Sequence, residues 1–383
     1  MIKDFKFSEQ TENAKLEAKY IDTEQELEET VVTEDRKLST DETSPDIETI
    51  MNRIDREDIA LHPEYQRNYV WTIPQASKFI ESLFINIPIA PIFTNENIDG
   101  TQEVIDGQQR LTTIYKFYKS QLELRGLSYF QGLNGKTFHT LSKTEQRTFL
   151  SKSLSLVRIN KESSRDIKFD VFTRINQGGT PLTNQELRRV MYRGEYINFL
   201  DKIIDIKNNQ YANFNDIFEN KDYLTKNLTN QEIALRLISI SSMIDSELTV
   251  SSEYRGDLQK LYNQYLDENR NNQEIIEKAD SEFLGVMQKL AEILPISMER
   301  FASYDGEKFS NRINKSVAEF EYLLVREMIT RNINNSDNEK IKQLLQEVLA
   351  ENEDDCFGRR SPNRNMLELR LEKIKNIIES LEG

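Results

Sequence analysis

Beyond about residue 200, every apolar pattern in this chain has the period of a helix, whereas residues 45–200 mix helical stripes with short alternating runs. The stripes are Ile233/Leu237/Ile240/Ile244, Leu258/Leu261/Tyr262/Tyr265, Ile276/Phe283/Val286/Leu290, Val317/Phe320/Leu324, Ile341/Leu344/Leu345/Val348 and Leu367/Leu371/Ile374/Ile378/Leu381. Residues three and four apart share a helix face, so each stripe is a surface that must be buried against another helix. The C-terminal half, residues 201–383, is therefore expected to be an all-helical domain. A chain of 383 residues exceeds what a single core ordinarily supports. A two-part α+β protein follows, with the Asn-rich stretch 207–222 as the expected junction.

In the N-terminal half, Ile47, Ile50, Met51 and Ile54 open the first helical stripe. An aromatic segment from Leu61 to Trp71, interrupted by Pro63, reads as an irregular strand or loop. Thr72 and Gln75 have capping-box spacing ahead of a helix through Ala76, Phe79, Ile80 and Leu83. Pro88 and Pro91 bracket a strand at Ile89–Thr94, and Asp99-Gly100 is a hairpin signal leading to a second strand at Gln102–Ile105. That strand runs into Asp106-Gly107-Gln108-Gln109-Arg110 and a helix bearing Leu111, Ile114, Tyr115 and Tyr118. A strand at Ser153–Ile159 follows, then a helix capped by Ser163, then the glycines Gly178 and Gly179. Thr183 and Glu186 form a second capping box.

Residues 1–45 show no consistent apolar period and read as a flexible arm, dispensable for folding, with a transient helix around Glu12–Glu29. Residues 1–50 hold 15 Asp and Glu against 6 Lys and Arg, which concentrates much of the net charge of -15 there. Such a leader is either a solvated arm or a cover over a basic cleft. The overall sign disfavours loose DNA binding, which needs phosphate neutralisation, but leaves local basic patches open. One cysteine, Cys356, rules out an internal disulfide and a cysteine-cluster zinc site; two histidines, His62 and His139, are too few for a His-rich metal centre. No apolar run approaches the ~18–20 residues that span a bilayer. Met1 to Phe7 lack a signal-peptide core, so no membrane partner and a cytoplasmic location are expected.

Three segments could carry chemistry. A helix N-terminus presents unpaired N–H groups and a partial positive charge. At 106–110, Gly107 allows close approach there, Gln108 and Gln109 add neutral donors, and the Arg110 fork matches phosphate oxygens. Asp106 could hold a metal-bound phosphate or orient a water. On spacing alone, a plain Asp106 cap followed by a glycine turn is the simpler reading. The second segment, Phe172 to Arg188, sets Arg174, Asn176, Gly178, Gly179 and Thr180 where a loop could wrap a polyanion; plain helix–loop–helix punctuation also fits. The third, Tyr65-Gln66-Arg67 with Tyr69 and Trp71, could stack a base, or simply fill the core. Farther on, Arg359, Arg360 and Arg364 surround a helix start with Ser361 as N-cap and Pro362 at the first turn. Arg312, Asn314 and Lys315 form a smaller cluster of the same kind. Both are candidate DNA phosphate contacts.

Together these pieces resemble the N-terminal domain family of GmrSD-type modification-dependent restriction endonucleases, of the ParB/sulfiredoxin-like superfamily. The matching residues stand in family order over roughly 45–195: Tyr65-Gln66-Arg67 with Trp71, then Asp106-Gly107-Gln108-Gln109-Arg110-Leu111-Thr112, then Phe172, Arg174, Asn176, Gly178, Leu182 and Glu186-Leu187-Arg188. The resemblance implies a ParB/sulfiredoxin-like nucleotide-binding domain over 46–200 with a small mixed sheet. It also implies binding and hydrolysis of a nucleoside triphosphate with Mg²⁺, coupled to recognition of foreign DNA in an antiphage system. In that reading Asp106 and Arg110 are catalytic, with Mg²⁺ reached through Asp106. Gly107, Gln108, Gln109, Arg67, Arg174 and Asn176 complete the nucleotide pocket. Alternatives are a non-catalytic nucleotide- or DNA-binding switch and a direct ParB-like nuclease. Many relatives cut DNA with a His-Asn-His domain, yet the helical half here contains no histidine. A separate nuclease subunit is the partner this departure implies.

Overall fold

The computed structural model describes residues 38–61, 69, 71–97, 99–163, 165–176, 183–333, 338–351, 355–358 and 363–382. It divides into two units between Met191 and Tyr192. The N-terminal unit contains β1 (Thr40–Thr43), α1 (Ile47–Asp55), β2 (Ile59–Ala60), α2 (Ile73–Ile85), β3 (Ile92–Glu96), β4 (Gln102–Asp106) and α3 (Gln108–Tyr118). It continues with α4 (Lys143–Leu150), β5 (Leu156–Ile159), α5 (Arg165–Asn176) and α6 (Asn184–Met191).

The five strands form one mixed sheet in the order β1-β5-β3-β4-β2. β1/β5 and β3/β4 are antiparallel, and β3/β5 and β2/β4 are parallel. The central hairpin closes at Asp99-Gly100, where the Asp99 carboxylate accepts the Thr101 N–H at 2.9 Å. Thr72 and Gln75 make the expected capping box on α2, and Thr183 and Glu186 exchange the equivalent bonds at α6. The expected faces are buried: Ile47, Ile50, Met51 and Ile54 of α1, Ala76, Ile80 and Leu83 of α2, and Leu111 and Ile114 of α3 share one core with Phe117 and Phe149. Glu81 of α2 is buried too, and its carboxylate accepts the N–H groups of Tyr129 and Phe130 at 2.7 and 2.9 Å, which satisfies the charge and orders that loop.

Regular structure includes residues that the apolar pattern assigned to the arm. Thr40–Thr43 lie inside the expected arm, yet they pair antiparallel with Leu156–Ile159 as the sheet's edge strand. All four are exposed, so no apolar period announces them. The strand is held instead by its backbone ladder and by the Asp41–Arg158 ion pair at 2.5 Å. Ser163 likewise does not cap α5. Its hydroxyl accepts the Ser39 N–H and donates to the Ser39 carbonyl, both at 2.9 Å, pinning the approach to β1. The expected arm residues before Leu38, including the Glu12–Glu29 helix, lie outside the described residues, as do Arg67, Gly178, Gly179, Arg359, Arg360, the Ser361-Pro362 helix start and the Asn176 side chain.

The C-terminal unit is helical. Its main elements are α7 (Glu195–Ile204), α8 (Thr229–Ser242), α9 (Leu258–Glu268), α10 (Gln273–Ile293), α11 (Lys315–Thr330), α12 (Asn338–Ala350) and α13 (Arg364–Glu382). Each stripe named above lies on one of these helices, except that Ile244 follows the end of α8, and turns its buried residues into the core. One two-stranded ribbon, β6 (Ala302–Tyr304) with β7 (Phe309–Ile313), is added to the helices. The stretch 207–222 is not a junction, because Tyr211, Phe214, Ile217 and Phe218 are buried in this unit's core. Their spacing in short turns carries no long period, which is why the stretch reads as a linker. The helix at 364 is capped by the Asn363 side chain, which accepts the Met366 N–H at 2.9 Å, so it starts two residues beyond the expected Pro362. α8 and α11 are buried nearly all round, and Glu319 of α11 pairs with Arg236 of α8 at 2.9 Å and Arg370 of α13 at 2.6 Å. Among the described residues no helix is long and apolar enough to cross a membrane.

Candidate anion-binding turn

β4 delivers Asp106 to the edge of α3, and the chain turns through Gly107, the helix N-cap, at φ +93°. A Cβ there would lie 2.9 Å from Ile92 Cγ1 and 3.1 Å from Arg110 Nη2, so both the backbone angle and the crowding require glycine. No side chain caps α3. The first-turn amides have no intrahelical acceptor by geometry, and the helix dipole places positive potential at the same spot. Asp106 is thus not the cap that spacing alone made the simpler reading. Its Oδ2 instead accepts from Arg110 Nη2 at 2.9 Å, one helical turn on. Arg110 Nη1 donates to the Ala90 carbonyl, just ahead of Pro91. These contacts use two of the five guanidinium N–H donors. The Asp106 side chain remains 36% exposed and that of Arg110 15%, so a ligand can reach the pair.

The other nominated residues are distributed unequally. Gln108 is buried beneath the turn. Gln109 follows it in the first turn of α3, and its carbonyl accepts the Thr113 hydroxyl at 2.7 Å. Thr113 also meets the Tyr69 hydroxyl at 2.8 Å, and Lys116 Nζ lies 3.7 Å above the Tyr69 ring. Burial raises the Tyr69 phenol pKa, so the ring stays neutral. Trp71 packs edge-on against Phe79 of α2 at 5.3 Å. Tyr69 and Trp71, the rings of the aromatic segment among the described residues, therefore brace α3 and α2. Arg174 stands exposed on the last turn of α5 and makes no ion pair among the described residues; α5 packs on β4, the strand that ends at Asp106. Fold packing thus brings the second segment's helix onto the strand of the first.

The candidates in the helical unit differ from one another. Arg312 is exposed on β7, and Lys315 pairs with Glu232 at 3.0 Å. Arg364 donates to the carbonyls of Ser251, Tyr254 and Val250 and to Glu368, which commits its guanidinium to the fold rather than to a phosphate. The residues that the sequence did not flag at the turn are Ala90, Ile92 and Thr113. Only the paired prolines 88 and 91 hinted that the segment before β3 is held rigid.

A small mixed sheet whose central hairpin runs into a glycine-relaxed helix start, with a carboxylate and a guanidinium facing each other there, defines an α+β domain built around the Asp-Gly-Gln-Gln-Arg turn. Residues 47–193 match the model of the GmrSD restriction endonuclease N-terminal domain, and the N-terminal unit belongs to that family. The match associates the chain with restriction-like antiphage systems. It begins at Ile47, so the edge strand β1 lies outside it. No curated protein and no solved structure matches the chain.

Proposed function

We propose that the chain is a nucleoside-triphosphate-binding and -hydrolysing subunit of a restriction-like, DNA-recognising antiphage system, with the 106–110 turn as its nucleotide site. The observation that carries this reading is the accessible Asp106–Arg110 pair standing at an uncapped helix start. A phosphate entering there would take up first-turn amides and spare donors of Arg110. Its charge also competes for the guanidinium, which frees the Asp106 carboxylate to accept a proton from, and so aim, the attacking water. Hydrolysis then forms the bond from that water oxygen to the γ-phosphorus and breaks the bond to the β–γ bridging oxygen.

Magnesium fits this donor set. The ion is ordinarily held by one or two carboxylates, substrate phosphates and several waters, and Asp106 supplies one such carboxylate. When bound with the nucleotide it would neutralise charge on the phosphates. DNA and a separate nuclease subunit are the macromolecular partners in this proposal, since the helical half offers no histidine for a His-Asn-His centre.

A panel of nucleoside triphosphates with Mg²⁺, read by phosphate release, tests the reading. Turnover with at least one of them, lost in Asp106→Ala and in Arg110→Ala, is the expected result; turnover that survives both substitutions defeats the assigned roles. A ligand that draws Arg110 away from Asp106 would rearrange the turn, and this favours a second reading. A non-hydrolysing nucleotide switch would show a thermal shift with nucleotide and no released phosphate. A direct nuclease would cleave plasmid alone and lose that activity in EDTA.

A further inference from the structure

The ribbon of the C-terminal unit borders a cleft of about 340 Å³. This is at the small end of ligand sites, about the size for one planar ring system. Tyr304 and Phe309 are register partners across β6 and β7, and their half-buried rings lie 4.9 Å apart at 50°. The Tyr304 hydroxyl donates to the Gly306 carbonyl at 3.1 Å, and the Asp305 carboxylate accepts the N–H groups of Glu307 and Lys308 at 3.0 and 2.9 Å. The turn that carries the aromatic pair is therefore preorganised. Met298, 54% exposed, offers a soft apolar wall before β6. Asn311 of β7 and Gln346 of α12 bring two carboxamides to the lining, and neither has a hydrogen-bond partner among the described residues.

Charge decides what such a cleft would hold. Glu299 in the lining is neutralised by Lys342 at 2.7 Å, and Glu307 offsets Lys308 on the rim. A site with so little net charge has no hold on a polyphosphate. Rings for stacking and carboxamides with paired donor and acceptor atoms suit the face and the edge of a nucleobase. We infer that the β6–β7 cleft is a nucleobase-binding site, filled by one unpaired base of a single strand or by a free nucleotide. The site is independent of the 106–110 turn, which lies in the other unit.

The test titrates the full chain into a short single-stranded oligodeoxynucleotide carrying one 2-aminopurine, whose fluorescence is quenched on stacking. Saturable quenching is expected, weakened about 5- to 150-fold in Phe309→Leu and in Tyr304→Leu. Asn311→Ala, at an exposed position that leaves packing intact, should weaken it as well. Quenching with the oligonucleotide alone identifies a strand as the source, and equal quenching with free 2-aminopurine nucleotide identifies the mononucleotide; either supports the assignment. No quenching, or quenching unchanged in all three variants, overturns it. The same titration on Arg110→Ala separates the two sites, since quenching lost there would place the base at the N-terminal turn and overturn the cleft assignment.

Discussion

Asp106 Oδ2 and Arg110 Nη2 stand 2.9 Å apart across a single helical turn, so the two residues nominated for chemistry are each other's partner in the ligand-free chain. A pair this exposed contributes on the order of 1 kcal/mol or less to stability. Asp106→Asn and Arg110→Lys should therefore leave the melting temperature within a few degrees of wild type while phosphate release falls at least 100-fold. Lysine retains the charge but not the planar fork, so rescue by Arg110→Lys would argue against bidentate phosphate recognition. Melting curves alongside turnover separate the two effects.

Gly107→Ala should cost stability as well as activity. The residue sits at φ +93°, and an added methyl would press within 2.9 Å of Ile92 Cγ1. Strain of this kind costs about 1–3 kcal/mol. Thermal unfolding should shift down by roughly 2–4 °C for each kcal/mol lost. An unchanged melting temperature would mean that β3 yields and that the turn is not rigid.

The edge strand separates two truncations. A chain starting at Leu38 keeps the β1–β5 ladder, the Ser39–Ser163 bonds and the Asp41–Arg158 pair, whereas one starting at Asp46 loses all three. At roughly 1 kcal/mol per backbone bond, the shorter chain should be less stable by a few kcal/mol. Urea unfolding of the two chains measures the difference, and equal midpoints would show that β1 adds nothing.

Glu319 lies buried between Arg236 and Arg370. Glu319→Ala strands two buried guanidinium groups and should destabilise by about 3–5 kcal/mol. Asn311→Ala, at an exposed site on β7, should change stability by less than about 0.5 kcal/mol. Chemical denaturation of both variants checks the contrast.

Glu321 of α11 gives the helical unit a pH dependence. Burial pushes its carboxyl pKa up to about 8, against the opposing pull of the Phe301 N–H and the Arg300 charge. The folded state therefore holds this proton more tightly than the unfolded chain. The stabilisation is complete below the ordinary carboxyl value of 4.5 and drains away as pH rises toward 8. Glu321→Gln, which keeps an oxygen for Phe301, should gain on wild type by up to about 1.4 kcal/mol per pH unit across that window. Parallel stability curves at pH 5.5 and pH 8 would refute this.

Local pattern sufficed for much of this molecule. Helical stripes fix α1 to α3 and the bundle helices because burying one face is decided by spacing along the chain. The Thr72–Gln75 box, the Asp99-Gly100 turn and the motif at 106–110 were legible because caps, tight turns and helix starts involve residues a few positions apart. What the sequence could not give were partnerships between distant segments. β1 has no apolar signature, since its place is settled by the free edge of β5. Whether Asp106 caps a helix or clasps Arg110 depends on the left-handed bend at Gly107 and on the Ala90 carbonyl, 20 residues away in the chain. Arg364 resembled a phosphate contact until folding surrounded it with the carbonyls of Val250, Ser251 and Tyr254. The sequence by itself determined the main helices, the central hairpin and which residue types gather at the turn. The tertiary structure alone decided which charges are spent on the fold and which stay open to a ligand, because that depends on acceptors brought in from far along the chain.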